Sequence, residues 1–322
     1  HHFSRAENWR KAVHYARESS KRASKLSRFA DASRILEQSQ SWLLKLPDDQ
    51  SRREVLIDTL LELERTCETL GARERQQAII HQLHELLEST EDRARLAEVY
   101  IREGELQTQL GQFDNAERAL EKSLGIRRDL SDRVGERNTL RSMGYLRWRQ
   151  EEYEKAVALN EAALAINRQA NDVEAMAIDL TNLGTAYKSL GANGQALEHL
   201  EEAIRLYETL GNPFQRTYTL VITANVYRDQ GDNEKAMQYL QQGMEIQAKH
   251  HLTLQQAFTV TSMANIYWDQ GKIEESLRLY KDLVQKNRNV GYAEGLSNSL
   301  LRLSERLLSL NKPEEALPYL LE

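Results

Sequence analysis

The sequence predicts an all-α fold, a superhelix of paired antiparallel helices. Three observations carry this. Only 4 prolines in 322 residues leave room for long uninterrupted helices. A 40-residue period runs through most of the chain without insertion or deletion. Between turns, apolar residues recur at i and i+3 or i+4, as in Leu180, Leu183, Tyr187, Leu190 and again in Leu197, Leu200, Ile204, Tyr207.

The period is carried by four kinds of position. A small residue recurs as Gly104, Gly144, Gly184, Ala224, Ala264 and Ser304. It lets two helices approach closely. Three residues on stand Gln107, Arg147, Tyr187, Tyr227, Tyr267 and Leu307, one turn along the same face. Seven on stand Gly111, Glu151, Gly191, Gly231, Gly271 and Asn311, just past a helix end, where left-handed backbone is wanted. Twelve on stand Ala116, Ala156, Ala196, Ala236, Ser276 and Ala316, a second close-packing point on the partner helix. Each unit therefore reads as helix A, a tight turn, helix B and a short polar link. Gly211-Asn212-Pro213 is the clearest breaker among the links. An earlier unit fits the same register, with Glu64 in the small slot, Cys67 in the tyrosine slot and Gly71 in the turn. Glu64 is too large for its slot, so this first unit is expected to pack loosely.

These positions divide the chain into an N-terminal helical part, 1–50, and seven units over 51–322. The units span about 55–90, 91–130, 131–170, 171–210, 211–250, 251–290 and 291–322. The N-terminal part is helical but out of register. Phe29, Ala32, Leu36 and Ser39 match Phe113, Ala116, Leu120 and Ser123 only if four extra residues fall near Pro47. The chain is expected to open inside one repeat and close inside another, without polar caps, which predicts a piece of a longer protein. His1-His2 read as a tag remnant or as native sequence.

The residues Leu183, Gly184, Tyr187, Gly191, Ala196, Leu200 and Ala203 resemble the tetratricopeptide repeat motif, with Leu200 at its usual aromatic position. The resemblance implies a right-handed solenoid whose A helices line a concave groove that binds protein segments. The 40-residue unit is longer than the family's usual 34 and is similar to the repeats of kinesin light chains, polarity adaptors and bacterial regulators. Residues 6–49, with Trp9, Ala12, Tyr15, Phe29 and Ala32 before Leu46-Pro47-Asp48, resemble the stretch that joins a signalling ATPase to its repeats in large bacterial regulators. That implies an ATPase, cyclase or other output domain upstream.

Composition narrows the function. Hydrophobic residues are 40% and charged residues 29%, which suits neither a membrane protein nor a disordered one. No apolar run approaches the roughly 18 residues of a membrane span. A single cysteine excludes an internal disulfide framework and a Cys-rich zinc module, and fits a reducing, cytoplasmic setting. Net charge is −6, unevenly placed: residues 1–34 carry nine basic and three acidic residues. That basic end reads either as a solvated helix face or as a contact for an acidic partner. The acidic remainder argues against nucleic acid.

No catalytic constellation is legible. There is no phosphate-binding glycine loop, no H-E-x-x-H and no C-x-x-C. Cys67 falls in a packing slot and reads as structural. His81 and His84 share a helix face but have no third partner for a metal, and His250-His251 lie in a link. No cofactor or metal is called for, and the chain reads as a non-enzyme.

Binding is expected on the A helices. With the small residue as the eighth position of each unit, positions 2, 5, 9 and 12 face the groove and position 6 lies at its edge. These give Asn138, Arg141, Tyr145 and Trp148; Asn182 and Lys188; Tyr218, Asn225 and Arg228; and Phe258, Asn265 and Trp268. Ile101, Thr181, Val221 and Thr261 fill position 5 in their units. Aromatic residues and arginine are the types most enriched in binding hot spots. The set reads as a groove for a peptide or helix with acidic and apolar residues, or as aromatics sealing neighbouring A helices. The expected function is a protein-interaction scaffold within a signalling protein. The rival is a sensor for a small peptide or nucleotide. Raw ends would also leave apolar faces open to self-association.

Overall fold

A computed structural model describes residues 8–25, 28–88, 90–250, 252, 256–290 and 293–322. His1, His2, Arg5, Glu7 and His251 lie outside them. Among the described residues there are sixteen helices and no strand. The chain divides at Gln150 and Glu151 into two compact units. The first holds α1 (Trp9–Lys25), α2 (Phe29–Leu43), α3 (Gln50–Leu70), α4 (Arg73–Glu88), α5 (Arg93–Gln109), α6 (Phe113–Asp129) and α7 (Arg133–Arg149). The second holds α8 (Tyr153–Ala170), α9 (Val173–Ser189), α10 (Asn193–Thr209), α11 (Pro213–Asp229), α12 (Asn233–Lys249), α13 (Gln256–Asp269), α14 (Ile273–Val290), α15 (Ala293–Ser309) and α16 (Pro313–Leu321). No helix among the described residues is long and apolar enough to cross a membrane.

Two backbone devices set the helix lengths. Helices end on a left-handed residue: Gly71, Gly111, Gly191, Gly211, Gly231 and Gly271 have φ between 63° and 82°. Ser131, Glu151, Asn171 and Asn311 take the same conformation without being glycine, so the turn dictates the backbone whatever residue stands there. Helices also start on a side-chain cap. Asp92, Asp132, Asp172 and Asn212 open α5, α7, α9 and α11, each accepting from the N–H three residues on.

Within a repeat, A and B helices touch through the small slots. A Cβ added at Gly104 would collide with Leu120, and one at Gly184 with Leu200. Ala116, Leu120, Ala196 and Leu200 are fully buried opposite them. The tyrosine slot also packs: Tyr187 is buried, stacks on His199 at 5.4 Å and donates to Glu161. Cys67, in the same slot, is fully buried, and burial pushes its thiol up, away from the reactive thiolate.

The first unit does not pack loosely around Glu64. Its side chain is 1% exposed. It accepts from Gln76 Nε2 at 2.7 Å and from the Arg102 guanidinium. Arg102 also reaches Glu98 at 2.8 Å, and Arg127 bridges Glu98 and Asp132 at 3.5 and 2.7 Å. The small slot is thus filled by an ion-paired chain and its partners. Removing one partner strands a buried charge, at about 3–5 kcal/mol.

A second polar pattern joins three B helices to the A helices that follow them. Residues twelve apart are paired: Asn167 donates to Asp179, Gln247 to Thr259 at 2.9 Å, and Asn287 to Ser299 at 3.3 Å. All six are buried.

Two outcomes check this packing. Gly184→Ala should lower stability by about 1–3 kcal/mol through overpacking, whereas Gly125→Ala, in open space on α6, should raise it by up to about 1 kcal/mol. Thermal melts of both variants test the contrast. Arg102→Ala should cost about 3 kcal/mol or more in urea unfolding, and Glu64→Leu with Arg102→Met should recover most of it.

Candidate functional site

In the first unit, α7 carries the expected residues. Tyr145 is 40% exposed. Its ring lies 6.2 Å from that of Trp148 at 17°, and Arg149 sits 5.9 Å over it while donating to its hydroxyl at 3.2 Å. Asn138 and Arg141 are half-buried and line a cavity of about 460 Å³ shared with α3 and α5. Ser142, at the edge position, donates to Glu105 at 2.6 Å. Glu105 is pushed up to about 7, first by burial. The Ser142 hydrogen bond opposes this, and the nearby Glu68 carboxylate adds to it.

In the second unit, α9, α11 and α13 carry the rest. Tyr218 is 46% and Phe258 54% exposed, at the same position of successive A helices. The cations there are answered by acids from the protein. Lys188 pairs with Asp229 at 2.7 Å, and Arg228 with Asp229 at 3.1 Å and Asp269 at 3.5 Å. Asn265 accepts from Tyr280 at 2.7 Å and from Arg306 at 2.9 Å. The same Arg306 guanidinium lies 4.5 Å over the Trp268 ring. Asn182 and Asn225 are half-buried, with no side-chain partner among the described residues.

Position 5 departs from its expected role. Ile101, Thr181 and Val221 are 5%, 4% and 7% exposed. Neighbouring A helices contact one another there, so these side chains pack, and only Arg141 and Thr261 keep partial exposure. The sequence reading missed Glu105, Asp229, Asp269 and Arg306. An acid one residue past position 12 in two successive units was the available signal for the aspartates.

His81 and His84 have separate surroundings. His81 is 77% exposed beside Glu85, while His84 meets Glu103 at 2.9 Å and the Tyr100 ring at 4.8 Å. Among the described residues no group of three potential ligands occurs.

Repeat models described as tetratricopeptide repeat match residues 97–130, 135–209, 220–250 and 259–290, over half of the 322 residues. The chain belongs to the tetratricopeptide repeat family. No protein of curated function matches it. Several solved tetratricopeptide-type structures share its fold. A Rap protein complexed with Competence and Sporulation Factor is 16% identical with a TM-score of 0.64, covering 94% of this chain and 87% of that one. The apo quorum sensor NprR from B. thuringiensis is 14% identical with a TM-score of 0.67, covering 95% and 85%. A Signal Transduction ATPase with Numerous Domains from Pyrococcus horikoshii, with a tetratricopeptide repeat sensor, is 14% identical with a TM-score of 0.58. It covers 91% of this chain and 51% of that one. At these identities the likeness is one of fold.

Glu105 gives the site a measurable pH signature. Its folded value of about 7 lies above the ordinary 4.5, so the folded chain holds this proton more tightly than the unfolded chain. The associated stability is full below about 4.5 and is lost as pH rises through about 7. Glu105→Gln, which keeps the neutral shape, should match the wild type in urea unfolding at pH 4.5. At pH 8 it should be more stable by roughly 1–3 kcal/mol.

Proposed function

We propose that this tetratricopeptide repeat chain is a protein-interaction scaffold that binds a peptide or protein segment on the exposed faces of its A helices. The observation that carries the reading is the set of aromatic rings left exposed there, Tyr145, Tyr218 and Phe258. Aromatic rings are enriched at interfaces and supply much of the binding free energy at hot spots. Asn182 and Asn225 add donors and acceptors that suit an extended backbone. On this reading the chain works by binding and not by catalysis.

We read residues 51–322 as seven such units, with 1–50 as an out-of-register helical addition. Because each repeat contacts its neighbours, a bound segment would alter many small rotations at once and so act on an attached ATPase or output domain. The fold likeness to a tetratricopeptide repeat sensor of a signal-transduction ATPase supports this. A buried free thiol suits a reducing cytoplasmic setting.

Affinity capture from native lysate tests the reading. Tyr218→Ala with Phe258→Ala, at unchanged far-UV circular dichroism, should reduce the captured partner at least about tenfold. Equal capture by wild type and variant would move binding elsewhere on the chain and defeat the assignment of these faces.

A further inference from the structure

Most A-helix cations of the second unit already have an acid of their own. Lys188 has Asp229, Arg228 has Asp229 and Asp269, and Arg302 has Glu305 at 3.1 Å. Arg306, on α15, is the exception in this group. It is half-buried, and its side chain meets Asn265, Trp268 and Tyr280, with no carboxylate among the described residues. The group therefore holds four cations against three acids, and the unanswered charge sits on Arg306.

The guanidinium is held in place. It lies 4.5 Å over the Trp268 ring, and its Nη2 donates to Asn265 Oδ1 at 2.9 Å. The hydroxyl of the buried Tyr280 donates to the same oxygen at 2.7 Å. Two donors on one oxygen set the orientation of the Asn265 amide. Its Nδ2 is left with no acceptor among the described residues. What this place still offers is donors: the Nδ2 hydrogens of Asn265 and the guanidinium hydrogens that Asn265 and Tyr280 do not take. Donors beside an unanswered positive charge suit an anion, and a guanidinium fixed against a ring suits a carboxylate.

We propose that Arg306, together with Asn265, binds the side-chain carboxylate of an aspartate or glutamate in the bound segment. The inference rests on the reading that the A-helix faces bind a protein segment, and it names one side chain of that segment. It also places the acid apart from Lys188 and Arg228, whose charges are spent on Asp229 and Asp269. The guanidinium is ordered before anything binds, so little further ordering is needed on contact.

Selection from a display library of random peptides tests this. Each peptide is fused at its C-terminal end, so no chain-end carboxylate is offered. The immobilised full chain should enrich peptides that carry an aspartate or glutamate. Arg306→Glu should enrich lysine or arginine instead, and Arg306→Lys, which keeps the charge, should retain the acidic preference. The strongest peptide, made synthetically with an amidated end, should bind Arg306→Gln at least about tenfold more weakly in calorimetry. Replacing its acid by the matching amide should weaken binding to the wild type by a similar factor and change binding to Arg306→Gln little. Arg306→Gln keeps a donor for Asn265, and thermal melts of the free variants check that the packing stands.

An enrichment blind to acidic residues, an acidic peptide held equally by Arg306→Gln, or binding that needs a free C-terminus would each overturn the proposal. Peptides lost by Tyr218→Ala with Phe258→Ala but indifferent to Arg306 would sink the Arg306 assignment alone. Acidic peptides lost by Arg306→Gln and unaffected by the aromatic variant would sink the aromatic-face assignment alone. No enrichment over a blank surface would overturn both.

Discussion

The close approach of helix A to helix B within each repeat is the contact on which the rest depends. It is set by one position. At Gly104 and Gly184 even a methyl group would strike the leucine opposite, so the backbones sit as near as side-chain packing allows. That proximity fixes which face of helix A is consumed by its partner. What is left over must face the next repeat or the open side. The tyrosine slot and the exposed aromatic rings are both consequences of this division of the helix surface.

Where the small residue is missing, the chain reaches the same end by different chemistry. Glu64 stands in the slot that glycine fills elsewhere, and it is accommodated by Arg102, from the neighbouring repeat, and by Gln76 from its own partner helix. The resulting network extends through Glu98 to Arg127 and Asp132. It lies beside the cavity in which Glu105 is held near neutrality. The two are physically linked: Arg102, although bound to Glu64 and Glu98, still favours the ionised form of Glu105, and the Glu64 carboxylate disfavours it. Burial is the first cause of the raised proton affinity of Glu105.

The period, the turn positions and the small slots were legible in the sequence because each is a local constraint on one residue, repeated many times. Gly71, Gly111 and Gly191 announce their backbone by composition. Glu64 was misread because its fate depends on Arg102, 38 residues away, and no local rule predicts that partner. The site was legible as a list of helix positions and less so as chemistry. Which cations would meet an internal acid depends on side chains of the following A helix: Asp229 for Lys188, Asp269 for Arg228, and Arg306 for Trp268. Position 5 was misassigned for the same reason, since contact between neighbouring A helices decides its burial. The recurring caps Asp92, Asp132, Asp172 and Asn212 were a plain signal at the same 40-residue period.

The buried polar pairs twelve residues apart bear on a hazard peculiar to self-similar chains. Units with the same apolar spacing can dock out of sequence during folding, with one repeat skipped, and bury nearly the same surface. The pairs differ from junction to junction: asparagine with aspartate, glutamine with threonine, asparagine with serine. A skipped repeat would set Asn167 against Thr219, or Gln247 against Ser299, and would take the Asn167 donor away from Asp179. The lost hydrogen bond counts against the skipped arrangement. These three junctions thus carry different addresses, and the chain can be repetitive in architecture while its assembly is marked at those points.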